Sequence, residues 1–202
     1  MGIDRRIRTR ALQAEKTRAT LVRTARLLFA KKGYHDTGTT EIVAKARVTR
    51  GALYHHFASK EDLFLAVFKD VQQEMAEKSK LIRRRASGTG DLWKMFRQQV
   101  SAFLRATSAP ELQRILLLDG PVVLGWARWR ELEAEYGLGV IVDAIEDGVS
   151  AGAVRPQPAE PLAHLVLSII DEGALLVANA PDPEAAASEV ETALDTLLST
   201  LT

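Results

Sequence analysis

The sequence predicts an all-α fold, on three observations. Apolar residues recur at three- and four-residue spacing in segment after segment, and the ends of those segments carry helix caps and breakers. No stretch alternates apolar and polar residues with the β-branched enrichment of a strand. With 202 residues, 47% of them hydrophobic, the chain can bury a core and hold one large or two small domains. Every apolar run falls short of the ~18 residues of a membrane span or is broken by charges. Residues 1–13 are too arginine-rich for a secretory signal, so a soluble, cytoplasmic protein without membrane contact is expected. The absence of cysteine excludes disulfides, thiolate nucleophiles and cysteine-based zinc sites.

The first long helix carries Leu21, Val22, Ala25, Leu28 and Phe29 on one stripe, with Lys16, Arg18, Arg23 and Arg26 largely off it. It stops at Lys31-Lys32-Gly33, where cations suit a helix C-terminus and glycine suits the residue after it. A short helix follows from about Thr39 to Ala46, where Gly38 and Glu41 make a weakened capping box. Another spans Arg50 to His56, with Thr49 as its N-cap. Ser59 and Asp62 form a full capping box opening a long helix with the stripe Phe64, Val67, Phe68, Val71 and Met75. It is expected to end near Arg83-Arg84-Arg85, ahead of a break at Ser87-Gly88-Thr89-Gly90.

From Asp91 to Thr107, Trp93, Phe96, Val100, Phe103 and Leu104 share one stripe. After Pro110, the run Ile115-Leu116-Leu117-Leu118 leads into a helix break at Asp119-Gly120-Pro121. The next helix carries Trp126, Trp129, Leu132, Tyr136, Ile141, Val142, Ile145 and Val149, and stops at Gly152. Between Pro161 and Pro181 lies a helix apolar almost all round, which must be covered on more than one side. The last helix, from about Pro183, shows Val190, Leu194, Leu197, Leu198 and Leu201 in a single stripe.

Charge is unevenly divided. Residues 1–60 hold 14 Lys+Arg against 4 Asp+Glu, a balance of +10, and the remainder holds 13 against 22, a balance of −9. A basic block on a short folded unit is the electrostatic footprint of nucleic-acid binding, because Lys and Arg contacts to phosphate release condensed counterions. Two short helices joined by Arg47-Val48-Thr49 and braced by longer ones make a helix-turn-helix. In that geometry the N-terminal end of the second helix enters the major groove, bringing Thr49, Arg50, Gly51 and Ala52 to base edges. Arg50 can give two hydrogen bonds to guanine, and Gly51 lets the backbone come close. Tyr54, His55 and Lys60 carry donors suited to phosphate oxygens.

The run Gly33-Tyr34, Thr37, Glu41-Ile42, Ala46, Val48-Thr49-Arg50-Gly51, Leu53-Tyr54, His56-Phe57, Lys60-Glu61, Leu63-Phe64 resembles the DNA-binding domain of TetR-family transcriptional regulators. Val43 departs from that pattern where a small alanine usually lets two helices cross, and Arg47 where glycine usually makes the turn. Arg47 must accept a left-handed backbone or the turn must differ locally. The resemblance implies that Thr39 and Thr40 contact phosphate or base, that Thr49, Arg50, Gly51 and Ala52 form the base-reading edge, and that Tyr54, His55, His56 and Lys60 meet phosphates. Leu53 and Phe57 are core; Tyr54 is either half core or a contact, and His56 either a packing histidine or a contact. Residues 1–13, with Asp4-Arg5-Arg6-Ile7-Arg8-Thr9-Arg10, resemble a disordered basic arm adding nonspecific attraction to DNA or lying along the minor groove.

The implied architecture is an N-terminal three-helix helix-turn-helix domain, residues 14–60, and a C-terminal helical ligand-binding and dimerisation domain, residues 61–202. The implied function is a homodimeric repressor, released from a palindromic double-stranded operator by a small hydrophobic effector and needing neither cofactor nor metal. Its dimer contact is expected in the last two helices, about 161–180 and 184–201, where Gly173 and Ala174 would permit close approach. Candidate effector contacts are Phe103, Asp119, Trp126, Trp129, Tyr136, His164, Asp171 and Glu172. The aromatic residues either line a pocket or fill core, and His164, Asp171 and Glu172 either touch a ligand or cap the interface. Apolar runs flanked by carboxylates suit an apolar or a cationic amphipathic ligand better than an anion. A carboxylate-bundle enzyme would need Glu-x-x-His pairs, which the chain lacks. A helical adaptor binding only protein would leave the +10 segment without a task.

Overall fold

The computed structural model describes residues 2–86, 92–107 and 109–202, without the side chains of 2–9, 82–86 and 107. The break read at Ser87-Gly88-Thr89-Gly90 lies outside these residues, as do the side chains of most of the basic arm. Among the described residues all regular structure is helical: α1 (Gly2–Lys32), α2 (Thr39–Ala46), α3 (Arg50–His56), α4 (Lys60–Ala86), α5 (Leu92–Thr107), α6 (Pro110–Leu112), a π-helical stretch (Gln113–Asp119), α7 (Gly120–Leu124), α8 (Trp126–Ser150), α9 (Ala159–Asn179) and α10 (Pro183–Ser199). The chain divides into two compact units, Met1–Asp70 and Val71–Thr202.

In the first unit, α1 buries the stripe read from the sequence, with Leu21, Ala25 and Phe29 fully enclosed. It ends as its cations and glycine require: Gly33 takes φ 81° and its N–H donates to the Phe29 carbonyl over 2.8 Å. The basic arm is not separate from this helix, which begins at Gly2. Between Asp4 and Lys16 no glycine or proline interrupts residues of good helix propensity. Glu41 makes no capping box; its carboxylate accepts from the Lys32 ammonium at 2.7 Å, and Gly38 caps α2 by backbone alone. The Thr49 hydroxyl accepts from the Ala52 N–H, as expected. Ser59 caps α4 through the Asp62 N–H, but the Asp62 carboxylate reaches past Ser59 to the N–H of Ala58. Phe64 meets Phe29 and Tyr34 at ring separations of 5.3 Å, so the start of α4 belongs to this core and the unit runs on past Lys60 to Asp70.

The turn between α2 and α3 resolves the question posed by Arg47. Its backbone is left-handed, φ 56° and ψ 42°, and Arg47 is the only described non-glycine residue with positive φ. The N–H groups of Arg47 and Val48 donate to the carbonyls of Ala44 and Val43, closing α2 as a glycine would. Val43 is nonetheless buried without displacing either helix from the helix-turn-helix arrangement.

In the second unit, α9 packs against α5, α8, α10 and the π-helical stretch. It is long and apolar enough to cross a membrane, contrary to the sequence expectation, because Asp171 and Glu172 are its only charges in the qualifying stretch. Half of that stretch is buried, as in the core helix of a bundle. Gly173 serves packing within the chain: a Cβ there would stand 2.8 Å from Val190 and 3.2 Å from Leu194 of α10. Arg97 of α5 grips Asp195 of α10 with two parallel hydrogen bonds of 2.8 and 2.7 Å, which hold the Asp195 carboxyl below its ordinary pKa. The break expected at Asp119-Gly120-Pro121 does not occur there. Gly120 is right-handed helical and Pro121 sits in the first turn of α7, where a missing N–H costs little. The chain breaks instead at Gly125, φ 78° and ψ 148°.

A left-handed non-glycine residue costs about 1 to 2 kcal/mol, and the greater freedom of glycine in the unfolded chain offsets roughly 0.5–1 kcal/mol of the gain from replacing it. Arg47→Gly is therefore expected to raise the melting temperature by roughly 2–4 °C, while the β-branched Arg47→Val lowers it. Thermal unfolding at one fixed protein concentration checks both, and equal melting temperatures for all three proteins would mean that the turn relaxes freely.

Candidate DNA-binding surface and effector cavity

The first unit gathers most residues of the helix-turn-helix motif on one face. Thr40, Thr49, Arg50, Gly51, Tyr54 and His55 are exposed, and Thr39, Ala52, His56 and Lys60 are partly so. Thr39 at the start of α2, then Arg50 one turn back on α3, lower the pKa of the Tyr54 hydroxyl. The Arg50 guanidinium lies 5.6 Å from the centre of the Tyr54 ring. Tyr54 thus stands between Thr39 at the entrance of α2 and Arg50 on the outer face of α3. A Cβ at Gly51 would meet only the Thr49 hydroxyl, at 3.9 Å. The fold itself does not require glycine there, although glycine inside a helix costs about 1 kcal/mol. His56 is half-buried; burial, then His55 and Arg18, lower its pKa and favour the neutral ring.

Lys60 is placed differently from its expected role. Its ammonium donates to the carbonyls of Tyr34, at 2.9 Å, and Thr37, at 3.2 Å, and lies 4.0 Å from the Tyr34 ring centre. The side chain clamps the turn between α1 and α2, so any phosphate competes for an ammonium that already has two protein acceptors. Thr37, fully buried, closes the same turn by donating its hydroxyl proton to the Gly33 carbonyl over 2.8 Å.

The second unit contains a cavity of about 120 Å³ between α4, α5, α8 and α9. Of the residues expected to contact an effector, Phe103, Tyr136 and Asp171 line it. Asp119, Trp126, Trp129, His164 and Glu172 do not. Trp129 is core: it is fully buried and its indole N–H donates to the Leu116 carbonyl over 2.9 Å. Trp126, 4.9 Å from Trp129 ring to ring, is on the surface with 57% of its area exposed. His164, two turns before Asp171 along α9, and Glu172 are exposed, and Asp119 ends the π-helical stretch.

The sequence reading missed the polar end of the cavity. Glu133 of α8 is buried, and one carboxylate oxygen accepts from the Gln72 amide of α4 at 2.6 Å. Asp171 pairs with Arg130, whose other terminal nitrogen donates to the Ser168 hydroxyl over 2.8 Å. Burial, then the neighbouring Asp171, push Glu133 up to about 8. Burial pushes Asp171 up to about 7 against the pull of Arg130. Two carboxyls therefore share one guanidinium. Of these groups only Asp171 stood out in the sequence, as a charge within an apolar run; Glu133 sits in the acid-rich Glu131–Glu135 stretch and looks there like an exposed face.

Comparison with known proteins adds to this geometry. Residues 21–67 match the family model for bacterial regulatory proteins of the tetR family, and residues 93–201 match the tetracyclin repressor-like C-terminal domain. The chain is 26% identical over 152 residues to the TetC protein of transposon Tn10 from Escherichia coli, covering 75% of each. It is 31% identical over 105 residues to the regulator AcrR of Shigella flexneri, covering 52% of this chain and 48% of that one. The crystal structure of a TetR-family transcriptional regulator from Pectobacterium atrosepticum is 35% identical, with a TM-score of 0.85 over 94% of this chain and 96% of that one.

Glu133 ordinarily titrates near 4.5 and here near 8, so between those values the folded protein keeps a proton that the unfolded chain loses. Its contribution makes the fold less stable as pH rises through that window and levels off above it. Glu133→Gln removes the ionisable group while leaving Gln72 an acceptor. Urea midpoints measured from about pH 5 to about 8 should show the variant gaining on the wild type with rising pH. A constant difference would show that Glu133 titrates normally.

Proposed function

The chain belongs to the tetR family of bacterial regulatory proteins, and from that premise we propose a homodimeric repressor that leaves a palindromic operator when a small hydrophobic effector fills the cavity. Regulators of this family are DNA-binding transcription factors rather than enzymes, typically ligand-responsive repressors working in the cytoplasm. The observation that carries the reading is the face of α3. Arg50 is exposed beside a glycine that nothing in the protein crowds, with its guanidinium against the Tyr54 ring. Such a face can lie against a groove floor, with Arg50 giving paired hydrogen bonds to guanine while Thr39, Thr40, Thr49, Ala52, Tyr54, His55 and His56 meet bases or phosphates around it.

Dimerisation through α9 and α10 is supported by what those helices leave uncovered. Leu165, Leu176 and Leu197 are 66%, 57% and 53% exposed on helices whose other faces are core. Burial against a second copy gives these side chains the cover that one chain does not. A two-fold dimer presents two α3 helices, and repression requires them about 34 Å apart to enter successive major grooves. An effector that prefers a different spacing shifts the population away from the operator-bound form, and operator DNA weakens the effector by the same factor.

Arg50 and Lys60 are expected to fail in different ways. Arg50→Ala should cost about 1 to 3 kcal/mol on the cognate duplex and relax preference at one base pair per half-site. Lys60→Ala should lower stability by about 1 to 3 kcal/mol through the loss of its carbonyl bonds, and weaken cognate and random DNA alike. Equilibrium binding to cognate and scrambled duplexes over a range of salt separates the two. Equal loss on every duplex for Arg50→Ala would make it a phosphate contact rather than a base reader.

A further inference from the structure

The cavity is selective by what its walls omit. Among the described residues no lysine, arginine or histidine lines it, while Glu133 and Asp171 do. The facing groups can be named from every wall. Helix α4 gives the Gln72 amide, α5 gives Phe96, Gln99 and Phe103, α8 gives Glu133 and Tyr136, and α9 gives Asp171. Just behind the wall, Arg130 is engaged by Asp171 and Ser168. Glu133 is left with the Gln72 N–H alone among the described residues. The polar end is one positive charge short of neutral when both carboxyls ionise, and the aromatic walls offer faces that attract a cation.

We propose that the effector is a small one-ring organic amine, held as its ammonium ion on the Glu133 carboxylate with its ring against Phe96, Phe103 and Tyr136. This rests on reading the cavity as the effector site. The size fits: the volume is about 120 Å³, and an engineered apolar cavity of roughly 150 Å³ takes benzene. A surface groove shares Ala76, Ser79, Tyr136 and Val140 with the cavity and is lined as well by Glu135, Asp143 and Lys80. An anionic ligand would bring its charge to a wall whose neighbouring cation, Arg130, is already engaged by Asp171, leaving a buried negative charge unpaired. The ligand enters with its N–H bonds intact, and Glu133 releases its proton to solvent as the ion pair forms. The ligand thereby supplies the counter-charge that the protein lacks, and binding is linked to proton release near neutral pH.

The test uses the full-length protein and three probes of matched shape: benzylammonium, benzyl alcohol and benzoate. Calorimetric titration near neutral pH should give benzylammonium an affinity at least about tenfold above that of the alcohol, with no binding of benzoate. Repeating the titration in buffers of different ionisation enthalpy should show proton release with the amine and none with the alcohol. Glu133→Gln, whose folding is checked by thermal unfolding, should bring amine and alcohol to similar affinities and abolish proton release. The alcohol or benzoate binding more tightly than the amine, or the amine not binding at all, overturns the proposal. If the alcohol or benzoate binds and also weakens DNA binding, the regulator reading stands without it. If the protein shows no sequence-specific DNA binding, that reading fails whatever the cavity holds.

Discussion

Helix α9 has almost no polar side of its own, and the second unit is built around that constraint. Its faces are taken in turn by α8, by α10, by α5 and by the π-helical stretch. What remains is a strip bearing Leu165 and Leu176, exposed among the described residues as Leu197 is on α10. Asp171 in the middle of such a helix would be costly if unpaired, since an isolated buried charge has little alternative but to neutralise. Arg130 from α8 meets it, and the need to bring that arginine inward also brings Glu133 from the next turn of α8 into the wall of the cavity. The apolar excess of one helix thus leads to the core, to the uncovered strip and to the polar end of the cavity.

The two units divide function by the sign of their charge. The first presents arginine, histidine and hydroxyl groups around α3; the second encloses an acid pair in an apolar wall. Each suits a partner of opposite character. Phosphate and guanine are acceptor-rich and reward exposed donors, whereas an acid pair sharing one guanidinium rewards a cation that arrives without its water. In this account repression and release do not compete for the same residues, and the fine details of the two sites can vary independently.

Much of this was legible in the amino-acid order. Period, caps and the glycine after α1 place the helices of the first unit, because each signal there is local: Thr49 caps α3 through a residue three places on. The motif around Gly51 and Tyr54 is also local and marks the exposed face. Long-range pairing was not legible. Lys60 is bound to carbonyls 23 and 26 residues earlier, so a side chain assigned to phosphate also clamps a turn. Glu133 is buried by a partner 61 residues away, and nothing in its neighbourhood distinguishes it from Glu131 or Glu135. Aromatic residues misled in the opposite direction: Trp126 and Trp129 are adjacent on α8, yet helical phase puts one outside and one in the core, leaving Tyr136 to reach the cavity. At Asp119-Gly120-Pro121 the breaker signal was genuine but absorbed, since a π-helical stretch leads into a proline at a helix start.

The account depends most on two α3 helices reading DNA together. Selection of bound duplexes from a random pool by the full-length protein tests that directly. The expected result is one enriched palindrome whose half-sites lie about 10 base pairs, or a whole multiple of a helical turn, apart centre to centre. Enrichment of no sequence, or of a single half-site without its mirror image, would contradict the account.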